Sequence, residues 1–218
     1  MIILAHRGFW RTPDEKNTLA AFERAFAKGY GVELDVRDCD GELLISHDPA
    51  RATCPRFSDV LDLYRKHGMP GRIAINIKAD GLAPQIAALT QEPSLRKAVF
   101  VFDMSVPDMI SYVKHGIPTF TRHSELEPDP VLFADCEGVW VDSFANPWAD
   151  ERRMLEFRAA GKAAAMVSPE LHGKPHREAW RAWRKALQTA AGASSPIMIC
   201  TDLPSDAESF FADGVFHD

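Results

Sequence analysis

A single closed (β/α)8 barrel is the architecture this sequence predicts, and three observations lead to it. Short apolar runs rich in β-branched residues recur along the whole chain, each followed by a longer stretch with helical spacing or turn residues, and eight such units can be counted. The 218 residues, with 46% hydrophobic positions, suffice for one core and most economically make one domain, 1–218. Nearly every run also ends in a polar or ionisable residue, and a parallel barrel brings all those ends to one face.

The candidate strands, in order, are Ile2 to Ala5, Val32 to Val36, Ile73 to Ile77, Ala98 to Phe102, Pro118 to Thr121, Gly138 to Val141, Ala163 to Val167 and Ile197 to Cys200. Their ends are His6, Asp35, Lys78, Asp103, Arg122, Asp142, Ser168 and Asp202. Crossover helices are expected over Thr18 to Lys28, where Leu19, Phe22 and Phe26 share a stripe, and over Pro175 to Ala190, where Trp180, Trp183 and Leu187 do. Ser58 to His67 and Asp150 to Ala160 have the same character, and no linker or short repeat marks an internal boundary.

Composition excludes several function classes. The formal charge of −6, with no long Lys/Arg run, argues against nucleic acid as a partner. Cys39, Cys54, Cys136 and Cys200 are scattered without C-x-x-C pairing, as expected of reduced thiols in the cytoplasm rather than of a disulfide framework or a zinc site. Met1 leads through Ile-Ile-Leu-Ala into His6-Arg7-Gly8 with no charged leader or long apolar stretch, so neither export nor membrane spanning is expected. The basic and aromatic positions of the Trp180 helix read as a buried aromatic stripe rather than as a membrane-surface face.

In Val32-Glu33-Leu34-Asp35-Val36 a period of two puts both carboxylates on one face. Like charges that close raise each other's pKa unless a cation lies between them, and hard oxygen ligands suit magnesium or calcium. The same parity turns Ala74, Asn76 and Lys78 inward and Ile73, Ile75 and Ile77 toward the helices; a lysine there can stabilise charge on an anionic oxygen. His6 ends the first strand, and His47 follows a hairpin at Cys39-Asp40-Gly41-Glu42 that returns to the barrel mouth, so two imidazoles are available for proton transfer. His67, His115, His123 and His217 lack such company and read as ordinary surface or core residues.

Together these residues resemble the glycerophosphodiester phosphodiesterase signature: His6-Arg7-Gly8, Asn17-Thr18, Ala21-Phe22, Glu33-x-Asp35, Asp40-Gly41 and His47-Asp48, covering about the first quarter of the chain. The resemblance implies a barrel of the phosphatidylinositol phospholipase C-like phosphodiesterase type. It implies a small phosphodiester substrate, a divalent metal (Mg2+, with Ca2+ as the alternative), acid/base catalysis by His6 and His47, and metal ligation by Glu33 and Asp35. Asn76 would supply a third ligand, with Lys78 and Arg7 completing the anion site. Three departures stand out. Lys16 occupies the position of a family carboxylate, with Glu15 beside it; Asn76 stands where the family has an acid, with Glu170 or Asp103 as compensating candidates; and the segment between Asp48 and Ile73 is too short for the usual insertion. Arg122, Asp103, Asp142, Glu170 and His172 are positioned to read the substrate alcohol. Two other readings stay open: intramolecular attack giving a cyclic phosphate, as in the similar sphingomyelinase D-like toxins, and a phosphate-binding barrel that has lost turnover.

Overall fold

The computed structural model describes residues 1–145, 151–189 and 195–212. Its first half contains β1 (Ile2–His6), α1 (Leu19–Ala27), β2 (Gly31–Cys39), β3 (Glu42–Ile45), α2 (Phe57–Lys66), β4 (Ile73–Ile77), α3 (Ala83–Leu89), α4 (Pro93–Ala98), β5 (Val99–Phe102) and α5 (Val106–Lys114). The second half contains β6 (Phe120–His123), β7 (Gly138–Val141), α6 (Glu151–Ala159), β8 (Ala163–Val167), α7 (Arg177–Thr189), β9 (Ile197–Thr201) and α8 (Pro204–Ala212). Eight strands run parallel in the order β5-β4-β2-β1-β9-β8-β7-β6, and β3 hangs antiparallel on the outer end of β2. The β2–β3 turn places Asp40 and Gly41 at φ 52° and 83°, the left-handed backbone that a two-residue hairpin requires.

The ring closes between β5 and β6 through a single bridge, Val101 to Thr119, in which the Val101 amide donates to the Pro118 carbonyl at 2.9 Å. Pro118 has no N–H to continue a ladder, so the regular strand starts at Phe120 instead of at Pro118 as its composition suggests. Aromatic rings fill the barrel behind this seam: Phe100 stacks on Phe120 at 3.9 Å and Phe102 on Trp140 at 3.8 Å. Small residues opposite them, Ala74, Ala163 and Ala165, leave room for the rings. Gly138 is required at this point, because a Cβ there would lie 2.5 Å from the Phe120 ring.

Strand alternation is as the sequence predicts. Val32, Leu34, Val36, Ile73, Ile75 and Ile77 face the helices, leaving Glu33, Asp35, Ala74 and Asn76 inside. Trp180 and Trp183 are fully buried between α7 and the sheet, so the stripe is core. The expected Ala98 start of β5 falls inside α4, which runs directly into the strand, and Asp150 and Ala190 lie outside the described residues. The segment between Asp48 and Ile73 contains α2, which leads from β3 to β4. All four cysteines are free, and among the described residues no helix is long and apolar enough to cross a membrane.

Candidate active site at the carboxyl ends of the strands

The His-Arg-Gly segment is a tight turn leaving β1. Arg7 and Gly8 both take positive φ, 56° and 89°, and the Arg7 amide donates to the Glu33 carbonyl at 2.9 Å. A Cβ on Gly8 would meet Ala21 Cβ at 2.8 Å, because α1 packs directly on the turn. Asn17, also left-handed at φ 60°, donates its amide to the Arg7 carbonyl at 2.9 Å, and the Thr18 hydroxyl caps α1 by accepting from the Ala21 amide. The motif residues outside the strands thus fold onto one another and aim two side chains, Arg7 and Asn17, at Asp35.

Asp35 is fully buried and heavily engaged. Its Oδ2 receives Asn17 Nδ2 at 2.8 Å and lies 2.9 Å from Arg7 Nε, while Lys78 Nζ stands 3.4 Å from Oδ1. Glu33, one step earlier on the same face, has fewer cationic neighbours: His6 Nε2 lies 3.9 Å away and the Arg7 amide donates to it at 3.3 Å. Its carboxyl is pushed up to about 7, first by burial and then by the charge of Asp35, against the pull of His6, Arg7 and Lys78. Asn76 pairs in register with Asp35 across β4 and β2. Three buried oxygens of this cluster, Asp35 Oδ1, Asn76 Oδ1 and Asn17 Oδ1, have no hydrogen-bond partner. Buried acceptors left so are costly and mark places for a cation or a donor. Among the described residues no three His, Cys, Asp or Glu side chains form a metal-ligand group, so any cation site here must draw on amides as well as on the two carboxylates.

His6 turns its other nitrogen to Asp202, with Nδ1 2.6 Å from Oδ1. Asp202 is held below the usual carboxylate range: burial pushes it up, but the hydrogen bond and charge of His6, with those of Lys16, outweigh burial. An ionised Asp202 makes His6 Nδ1 the donor, which leaves Nε2 as the nitrogen that faces Glu33. Lys16 binds the opposite oxygen of Asp202 at 3.3 Å and lies 4.6 Å from the centroid of Trp10, so the lysine at the family's acid position does not enter the carboxylate cluster. Glu15 is no substitute for that acid, because it binds Arg24 and the Arg11 amide.

Asp202, Lys16 and Asn17 are the functional candidates that sequence reasoning did not assign. The available signal was the position of Asp202 at the end of the last strand, which becomes meaningful only once β9 lies beside β1. Glu170, expected as an alcohol contact or a compensating ligand, is hydrogen-bonded to the ends of β8 and β9. It accepts from the hydroxyls of Ser168 and Thr201 and from the Asp202 amide at 3.2 Å, and Ser168 is bound in turn by Trp180 Nε1 at 2.7 Å. Glu170 therefore fixes the backbone that carries Asp202.

The ends of β5 to β8 form a second charged row. Arg122 grips Asp103 through Nε at 2.9 Å and through Nη2, approaches Asp142 at 3.8 Å, and His172 Nε2 lies 2.9 Å from Asp142. Burial works against the Arg122 charge, yet Asp103 and the neighbouring acids raise its pKa; burial raises Asp142 against the pull of His172 and Arg122. Asp103 is thus engaged by Arg122. His47 stands half-exposed beyond the first cluster, with Nδ1 3.0 Å from the exposed Asp48. Of the histidines read as ordinary, His67 pairs with Glu23, while His115 and His123 contact the carbonyls of Ser111 and Pro128; His217 lies outside the described residues.

No family model matches the chain, and no curated protein matches it in sequence. Solved structures do. A glycerophosphodiester phosphodiesterase from Parabacteroides distasonis superposes with a TM-score of 0.70 over 97% of each chain at 15% identity. One from Agrobacterium tumefaciens gives 0.67 over 96% of this chain and 99% of that one at 18% identity. A Ca2+-dependent phosphatidylinositol-specific phospholipase C from Streptomyces antibioticus gives 0.55 over 95% of each at 14% identity. The chain has the fold of these phosphodiesterase barrels. At such identities the likeness establishes architecture, and the chemistry has to be argued from the residues.

Proposed function

We propose that this chain is a metal-dependent phosphodiesterase that hydrolyses a glycerophosphodiester or a similar small phosphodiester by His6/His47 acid–base catalysis. The observation that carries the reading is the meeting, at the ends of β1, β2, β4 and β9, of a carboxylate-supported histidine with two buried acids and two cations, in the fold shared with such enzymes. Glu33, Asp35 and Asn76 would hold the cation, and the unpartnered oxygens of Asp35 and Asn76 suit a hard ion such as Mg2+ or, alternatively, Ca2+. When bound, the ion lowers the cost of charge on a non-bridging phosphoryl oxygen.

The side chains supply the rest. Arg7 and Lys78 neutralise Asp35 in the ground state and present their remaining N–H donors to the diester anion. His6 accepts the proton of the attacking oxygen at Nε2, and Asp202 stabilises the imidazolium this creates and holds the ring in the required tautomer. His47, with its exposed partner Asp48, protonates the leaving alkoxide and exchanges its proton with water. The row of Asp103, Arg122, Asp142 and His172 faces the alcohol, where alternating acceptors and donors discriminate between leaving groups. Cytoplasmic residence, with the four thiols reduced, fits the same reading.

The test is phosphorus NMR of the purified protein with magnesium and a panel of glycerophosphodiesters, lysophospholipids and sugar phosphodiesters, with His6→Ala and His47→Ala in parallel. Monoester formation that disappears in both variants supports the proposal. No turnover with magnesium, calcium or manganese sinks it.

A further inference from the structure

We propose that Asn17 is a fourth ligand of the cation site, its amide oxygen completing a set of two carboxylates and two amides with Glu33, Asp35 and Asn76. The inference rests on the metal-dependent reading above and adds a residue to it.

Asp35 and Asn76 are at least nine-tenths buried, and each keeps an oxygen without a partner. Asn17 is only partly buried as a residue, but its Oδ1 is shielded from solvent and has no hydrogen-bond partner, while the other end of the same amide donates to Asp35 Oδ2 at 2.8 Å. Asn76 flanks Asp35 from β4 by strand register, and Asn17 flanks it from the turn before α1. Unpartnered acceptors therefore stand on Asp35 and on both of its neighbours. Buried acceptors without a donor are costly, and a cation shared among them would relieve that cost.

The cations already present do not fill this role. Arg7 sits on Asp35 Oδ2, Lys78 Nζ pairs with Asp35 Oδ1 by charge at 3.4 Å without hydrogen-bonding it, neither reaches the amide oxygens of Asn17 or Asn76 as a hydrogen-bond donor, and Lys16 is turned away to Asp202. A hard divalent ion accepts carbonyl oxygens as readily as carboxylates, and affinity follows the number of charged ligands, so two amides in the set make for weak binding. The arrangement also explains how the site tolerates Asn76, since the lost carboxylate is offset in ligand number though not in charge.

The backbone permits a clean test. Asn17 sits at φ 60°, a conformation that Asn, Asp and Gly all adopt readily, so Asn17→Asp and Asn17→Gly alter the ligand without straining the turn. Calcium and magnesium are titrated calorimetrically into the wild type and both variants, and thermal unfolding is recorded with and without calcium. If Asn17 ligates, Asn17→Asp tightens calcium binding about tenfold, Asn17→Gly weakens it about tenfold, and calcium raises the Tm of Asn17→Asp more than that of the wild type. If Asn17 serves only as a donor to Asp35, the new carboxylate repels Asp35, Asn17→Asp unfolds at a lower temperature, and calcium gives it no extra protection. Wild-type affinity in both variants overturns the role of Asn17 alone. No saturable binding in the wild type or in Asn17→Asp overturns the metal reading together with it.

Discussion

Asp202→Asn is the substitution that most directly separates a catalytic His6 from a merely buried one. The side chains of Asp202 and His6 are 16% and 15% exposed and meet at 2.6 Å, so little solvent screens the pair. With the charge centres of imidazolium and carboxylate about 4 Å apart, a pair of unit charges at an effective dielectric near 20 is worth about 4 kcal/mol. Lys16, 3.3 Å from the other carboxylate oxygen, shares the charge and reduces what the carboxylate gives an imidazolium to about 3 kcal/mol. With roughly 1.4 kcal/mol per tenfold in rate, kcat should fall about 100-fold. An asparagine can also present its amide N–H to Nδ1, holding the ring in the tautomer whose Nε2 already carries a proton, which deepens the loss. KM should stay close to wild type, since Asp202 contacts no cation-site residue and lies on the far side of His6 from Glu33. The assay is steady-state turnover of a glycerophosphodiester with magnesium, alongside circular dichroism to confirm folding. A folded variant whose kcat stays within about threefold of wild type refutes the role of the pair.

Three other outcomes are expected. Because the Asp202 carboxyl lies below its unfolded value, its contribution to stability is fully present above about pH 4 and is lost as pH falls through the lower folded pKa; chemical denaturation from pH 5 to 3 should show wild type losing stability more steeply than Asp202→Asn. Lys78→Met should lower kcat/KM about 100-fold while leaving the circular dichroism unchanged, since Asp35 keeps Arg7 and Asn17; unaltered kinetics would remove Lys78 from the anion site. Gly138→Ala would drive a methyl to 2.5 Å from the Phe120 ring and 2.7 Å from the Ala163 carbonyl oxygen, costing about 2 kcal/mol. Differential scanning calorimetry should show a Tm lower by about 6 °C.

The repeating pattern of apolar runs and helical stretches determined the barrel by itself, because alternation within a strand and the spacing of crossover helices are local properties that a sequence displays directly. It also determined which residues line the interior: Glu33, Asp35, Asn76 and Lys78 face inward by parity alone. The seam between β5 and β6 was not legible, since closure there depends on aromatic rings meeting across the barrel and on the N–H that Pro118 lacks. Nor was the pairing of His6. Asp202 is 196 residues away, and only the closing of β9 against β1 brings them together. The same holds for the hydrogen bonds of Glu170, which accepts from the Ser168 and Thr201 hydroxyls and from the Asp202 amide once β8 and β9 lie side by side. Lys16 and Asn17 are adjacent in sequence yet serve different partners, Asp202 and Asp35, because the left-handed backbone at Asn17 turns the chain between them. Local pattern decides which face a side chain takes, while the partner it meets there depends on strand order and ring closure, which bring together residues distant in sequence.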